Sequence, residues 1–298
     1  MFKRELTLTQ KNAWYGRFFL IPFIIGFIFF FLTPLIQCIL FSFCEVDIKV
    51  GGYDTNFIKF GNFDHIFNED LHYSSNLISS LTQVTWKVPA ILVVSIFLSI
   101  ILNTKFHGRT FMRALAFLPA IISSGLVMET MANDIVIGSL TSGKAVSNGA
   151  IIQSTGLQDL LINAGFSEKI TTLFATLSDN MFSILWLSGV QTVLFLTGLQ
   201  GIPSSLYEAA HVEGATSWES FWKITFPMLL PTIEVAAVYS VVDLFTSTDN
   251  PVMRQVLNET NAIQLGWASS MSIIYSLVLG IVLFFIILLF RKSESNTY

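Results

Sequence analysis

PSSLYEAAHVEGATSWESFWKITFPMLLP, residues 203–231, is a polar, helix-prone island between two long apolar runs. Ser205 and Glu208 stand at capping-box spacing with Pro203 just ahead, which predicts a helix start there. Gly214 suits the left-handed conformation that ends such a helix. Thr216 and Glu219 repeat the spacing and predict a second helix leading into Ile224, Phe226 and Pro227. The reading is a short helix, a glycine bend and a helix entering a membrane, with the short helix offered to something in the cytoplasm.

The rest of the chain supplies the membrane. Of 298 residues, 53% are hydrophobic and 12% charged, 28 are Phe, and the mean hydropathy is +0.65. Average soluble domains carry about 25% charged residues, so this composition is that of a membrane protein. The net charge of −4 suggests no nucleic-acid partner. Cys38 and Cys44 show neither a disulfide framework nor metal-ligand spacing and read as small buried residues. The four histidines, His65, His72, His107 and His211, are scattered. No serine lies in a nucleophile-elbow context, so no catalytic set and no metal site is predicted.

A spanning helix needs about 20 mostly apolar residues. Six runs qualify: 18–43, 77–102, 111–131, 181–199, 224–245 and 267–290. The first is too long for a signal-peptide core, and no small-residue cleavage site follows it. Pro22, Pro34, Pro89 and Pro119 interrupt the runs, which a bundle tolerates where neighbours re-satisfy the freed backbone groups. With the amino terminus inside, ten Lys and Arg fall on inner segments and five on outer ones. The positive-inside rule then predicts both termini, and residues 203–223, in the cytoplasm. The expected fold class is all-α: one polytopic membrane domain over residues 1–298, with a cytoplasmic tail at 1–17 and an extracellular loop region at 132–180.

Two outer segments and one false lead complete the survey. Residues 44–76 scatter Phe57, Phe60, Phe63 and Phe67 among polar groups, as an amphipathic segment resting on the outer membrane surface would; contact with a protein partner is the alternative. Residues 138–145 nearly fit a phosphate-binding loop, but Ala145 stands where a Ser or Thr would hold magnesium, and the topology puts the loop outside. Nucleotide binding there is not expected.

Glu208-Ala209-Ala210, three residues, Gly214, nine residues, Ile224, one residue, Phe226-Pro227 resembles the EAA loop of permeases in binding-protein-dependent ABC importers. Phe226 stands where the family usually has Leu, and Glu213 where it has Asp. Taken without the resemblance, Glu208 is a capping residue and the two alanines are helix formers. Leu20-Ile21-Pro22, Gly61-Asn62-Phe63, Gly108-Arg109-Thr110-Phe111 and Phe117-Leu118-Pro119 extend the likeness to the sugar-importer permeases. The first-permease type of the maltose, multiple-sugar and glycerol-phosphate importers matches better than the second, whose cytoplasmic tail is rich in Gly, Ala and Lys. The resemblance implies that Glu208, Ala209, Ala210, Gly214, Ile224 and Pro227 form the element that docks on an ATPase. It also implies a second homologous permease, two ATPase subunits that bind ATP and magnesium, an extracellular binding protein, and a bacterial cytoplasmic-membrane location. On this resemblance the chain itself is expected to need no cofactor and to be no enzyme.

Ionisable groups inside spans suggest a pathway. Lys87 and Glu234 each lie ten residues into a run, entering from opposite sides, so they are expected to approach each other or to face one aqueous cavity. Trp186, Gln191 and Tyr239 join them as candidate sugar contacts, since sugars offer apolar ring faces and hydroxyl edges. Trp86 and Asp243 also lie on spans. Against this stands a structural ion pair, snorkelling, or ordinary interfacial aromatics. An ion-coupled secondary transporter is the rival from another class. It commonly shows repeated halves, and no convincing repeat is present.

Overall fold

The structure, a computed structural model, describes residues 18–49, 51–104, 107–114 and 166–294. The tail at 1–17, the third apolar run beyond residue 114, the near-match at 138–145 and the loop up to residue 165 lie outside the described residues. In chain order the main elements are α1 (Phe18–Ser42), β1 (Cys44–Lys49), β2 (Gly52–Phe57), α2 (Leu71–Asn103), α3 (Glu168–Leu187), α4 (Gly189–Gln200), α5 (Ser204–Val212), α6 (Phe226–Thr246), α7 (Pro251–Asn261) and α8 (Leu265–Glu294). Among the described residues five helices are long and apolar enough to cross a membrane: Phe18–Ser42, His72–Asn103, Ile170–Leu187, Ser217–Asn261 and Leu265–Arg291. The chain is a multi-pass membrane protein.

The chain is mostly helical, as expected, with one short hairpin the sequence reading did not foresee: β1 and β2 pair antiparallel, Cys44 opposite Phe57 and Lys49 opposite Gly52. Alternation is the reason: Cys44, Val46 and Ile48 share one face with Tyr53, Thr55 and Phe57, while Glu45, Asp47 and Lys49 share the other with Asp54 and Asn56. Gly51, at φ +102°, lets the chain reverse. The fourth run is displaced. Helix α3 begins at Glu168, inside the segment expected to be a loop, and the path bends at Ser188 before α4. The buried Ser188 hydroxyl donates to the Leu185 carbonyl, and the Ser188 carbonyl accepts from Thr192. Those side-chain bonds compete with the helix ladder.

Two of the prolines share a signature. Before Pro34 and again before Pro227 the helix widens into a π turn, over Phe27–Leu32 and Phe221–Thr225. A proline has no N–H and crowds the carbonyl four residues back, so the preceding residues reach one residue further. Thr33 N–H bonds the Ile28 carbonyl and Phe226 N–H the Phe221 carbonyl, both five residues back.

The chain divides into two compact units, residues 1–78 with 251–278, and residues 79–250 with 279–298. The first is organised around the end of α1. A helix leaves its last carbonyls without partners, and Asn62 answers: its Nδ2 donates to the Ser42 and Cys44 carbonyls at 3.0 and 2.9 Å. Ser270 on α8 adds a bond to the Ser42 carbonyl at 2.9 Å. Helix α8 comes this close because residue 266 is glycine; a Cβ there would lie 2.6 Å from the Cys44 carbonyl oxygen. Tyr73 donates to the Met271 carbonyl at 2.8 Å, and Gln255 of α7 donates to Asp70 while accepting from Asn76. Substituting Asn62 by Leu keeps the volume and removes this donor from both carbonyls; Ser42 keeps its bond from Ser270, so the cost is about 1–3 kcal/mol, that of one buried group losing its partner. Thermal melting of the full-length protein in detergent should fall for Asn62→Leu; an unchanged melt would show the cap to be dispensable.

Candidate functional site

The second unit carries every candidate site residue. Its core is the contact of α4 with α6: Phe195, Leu199 and Ile202 against Leu229, Ile233 and Ala236, all buried. In lipid the hydrophobic effect does not drive helices together, so close packing of small residues must. Gly198 provides it, since a Cβ at that position would stand 2.8 Å from Thr232 Oγ1 and 2.9 Å from Leu229 Cδ2. Leu92, Ile96 and Ile100 of α2 pack on this core, and Ser95 of α2 also donates to the Ser188 carbonyl at 3.3 Å.

Within the same pair lies a polar site. Gln191, fully buried, donates through Nε2 to Ser240 Oγ at 2.8 Å, and Ser240 donates to the Ala236 carbonyl at 2.7 Å. Among the described residues Gln191 Oε1 has no hydrogen-bond partner, which makes it an acceptor in want of a donor. Sequence reading named Gln191 and missed Ser240; the register of two helices brings them together, and no motif announces it. The other candidates are more open. Trp186 is half-buried and packs against Phe182 at 5.7 Å between ring centroids, Tyr239 is exposed, and Glu234 is half-buried. Lys87 and Glu234 form no ion pair; the Lys87 ammonium donates to Gln83 Oε1 at 3.4 Å.

The stretch at 203–231 folds largely as its spacing dictates, with one shift. Pro203, extended at ψ 131°, is the N-cap of α5, so Ser205 is already inside the helix and makes no capping box with Glu208. The end of α5 is a Schellman motif: Ala215 N–H bonds the Ala210 carbonyl at 2.9 Å and Gly214 N–H the His211 carbonyl at 3.0 Å. Gly214 holds φ +80°, where a Cβ would strain the backbone. The predicted second box is present: Glu219 N–H donates to Thr216 Oγ1, and Thr216 N–H donates to the Glu219 carboxylate at 2.9 Å.

Helix α5 has no buried residue. Glu208, Ala209, His211 and Val212 are exposed, Val212 by 88%, while Ala210 is half-buried. What holds the helix is Tyr207. Its ring packs on the core beside Ile224 and Phe226, and its hydroxyl bonds Thr225 Oγ1 at 2.8 Å, in the π turn just ahead of Pro227. Ile224 and Pro227 are both half-buried. Trp218, Trp222, Phe221 and Phe226 cluster on the same helical run. Replacing Tyr207 by Phe removes one hydrogen bond, about 0.5–1.5 kcal/mol. Hydrogen exchange over residues 204–212 should quicken severalfold in that variant, with α4 and α6 unaffected; unchanged exchange would mean the tether lies elsewhere.

No family model matches the chain. It is 31% identical over 212 residues to a probable ABC transporter permease protein of Brucella suis biovar 1 (strain 1330), covering 70% of this chain and 68% of that one. It is 26% identical over 308 residues to the multiple sugar-binding transport system permease protein MsmF of Streptococcus mutans serotype c, covering 95% and 97%. Among solved structures it resembles the bacterial alginate ABC transporter in complex with alginate pentasaccharide-bound periplasmic protein, with TM-score 0.64, 18% identity and 93% of each chain covered. With an exposed, tethered α5 on a packed bundle and these relatives over most of its length, the chain belongs to the ABC transporter permease family.

Proposed function

We propose that the chain is one permease subunit of an ATP-driven importer for a sugar or oligosaccharide, forming the translocation path with a second homologous permease. The names of its relatives support the cargo class: permeases for multiple sugars, arabinooligosaccharides and diacetylchitobiose are among them. On this reading the membrane domain has six spans with both termini cytoplasmic, and the segment 203–223 is its cytoplasmic coupling loop. Two ATPase subunits bind and hydrolyse ATP with magnesium, and an extracellular binding protein delivers the cargo, as the periplasmic protein in the alginate complex suggests.

One observation carries the proposal: α5 presents Glu208 and Ala209 to the outside while Tyr207 ties it to the start of α6. Small residues let another backbone approach, and Gly214 turns the chain back toward the bilayer. A push on α5 passes through Tyr207 to Thr225 and Ile224, into α6 below Pro227, and across the Gly198 contact to α4. Cargo and ATP then bias which side the cavity faces. Lys87, Trp186, Gln191, Glu234 and Tyr239 are the proposed pathway residues, with Ser240 added as the partner of Gln191.

Co-expression with the neighbouring transporter genes and purification through a tag on this chain should recover the ATPase subunit. Glu208→Lys and Gly214→Asp should each lower that recovery at least tenfold while leaving the permease in the membrane. Uptake that follows an ion gradient and ignores ATP would overturn the importer reading.

A further inference from the structure

Lys87 is an ionisable group inside the candidate span His72–Asn103. Charge within a span is costly, and by default it faces a partner or a water-filled path.

Among the described residues no carboxylate lies within ion-pair distance of Lys87. Its ammonium has the Gln83 amide oxygen at 3.4 Å and the Trp86 ring centroid at 5.8 Å, while the charge of Asp249 reaches it from further off. Glu234 and Asp243, the carboxylates within α6, are not its partners. Gln83, Trp86 and Lys87 stand at i, i+3 and i+4 and so share one helix face. Gln83 and Lys87 are half-buried and the Trp86 indole is 41% exposed. The next residue round, Val88, is buried, as are Val84 and Ile91, so this turn flanks the packed side of α2. One turn of helix thus offers a cation with no described carboxylate in ion-pair contact, an amide that bonds hydroxyls, and an aromatic plane that stacks on sugar rings.

We infer that Lys87 is the recognition group for an anionic moiety on the cargo, a uronate carboxylate or a phosphate ester. The solute carried is then an acidic saccharide. The inference rests on the sugar-importer reading and narrows it. Lys87 pairs with the anion as it passes, Gln83 bonds the adjoining hydroxyls, and Trp86 covers a ring face. A neutral sugar leaves the ammonium without that pairing and gains nothing from it.

The test uses the complete transporter in proteoliposomes, with ATP in the compartment of the ATPases and the binding protein opposite. Uptake of a galacturonate trisaccharide, its neutral methyl ester and a hexose phosphate is compared. Wild-type transporter should carry an anionic probe at least tenfold faster than the ester. Lys87→Gln should cut that uptake about tenfold and Lys87→Arg should restore most of it. Which anionic probe shows the Lys87 dependence identifies carboxylate or phosphate as the source. Equal uptake of acid and ester, or acid uptake untouched by Lys87→Gln, would overturn the acidic-cargo inference while sugar import stood. If none of the three probes entered, the sugar reading would fall with it.

Discussion

Inside a bilayer no water waits for a backbone carbonyl or N–H that loses its partner. Much of this structure follows from that constraint. Where Pro34 and Pro227 lack a donor, the helix widens so that the N–H just before each reaches five residues back. The Thr33 hydroxyl joins its own N–H on the Ile28 carbonyl, and the Thr225 hydroxyl bonds the Ser220 carbonyl. Where α1 ends, Asn62 and Ser270 converge on the carbonyls it leaves behind. Serine and threonine are therefore not polar intrusions in an apolar chain; they let it bend where function needs a bend.

The same scarcity of driving force explains the second unit. Leucine against leucine gains little over leucine against lipid, so α4 and α6 are held by fit. Gly198 and Ala236 allow the approach, and the Gln191–Ser240 bond fixes the register. A pair joined by fit resists being pulled apart piecemeal. On the proposed function this suits a lever: α5, fastened at Tyr207, moves α6 together with α4.

Glu208 and Ala209 need exposure to meet a partner, and they have it on a helix that ends in a Schellman motif and is followed by a capping box. Both stops are local and rigid. The element offered to the partner is short, defined at each end, and tethered to the bundle through the Tyr207 ring and hydroxyl. Charge inside the spans is sparse for the opposite reason: each ion there must find a partner or water. That is why Lys87, with an amide and an indole for company, is more informative than any exposed lysine on this chain.

The sequence alone determined the membrane class, the approximate place of four of the spans the structure describes, the bend at Gly214 and the box at Thr216–Glu219. Each of these is a local or compositional matter: apolar run length, φ preference, or side chains three residues apart. It misplaced the first cap by two residues because Pro203 and Ser205 compete for the same role, and only the extended backbone at Pro203 settles it. It read 44–57 without the hairpin because strand pairing depends on register between two segments, not on either alone. It put the start of α3 inside a loop because residues 168–180 carry polar groups that weaken the apolar signal, though the helix needs only its backbone bonds. Tertiary structure alone decided that Gln191 meets Ser240, that Gly198 and Gly266 are contact points, and that Lys87 and Glu234 form no ion pair. Those outcomes depend on which faces of two helices turn toward each other, a relation that spacing along one chain does not encode.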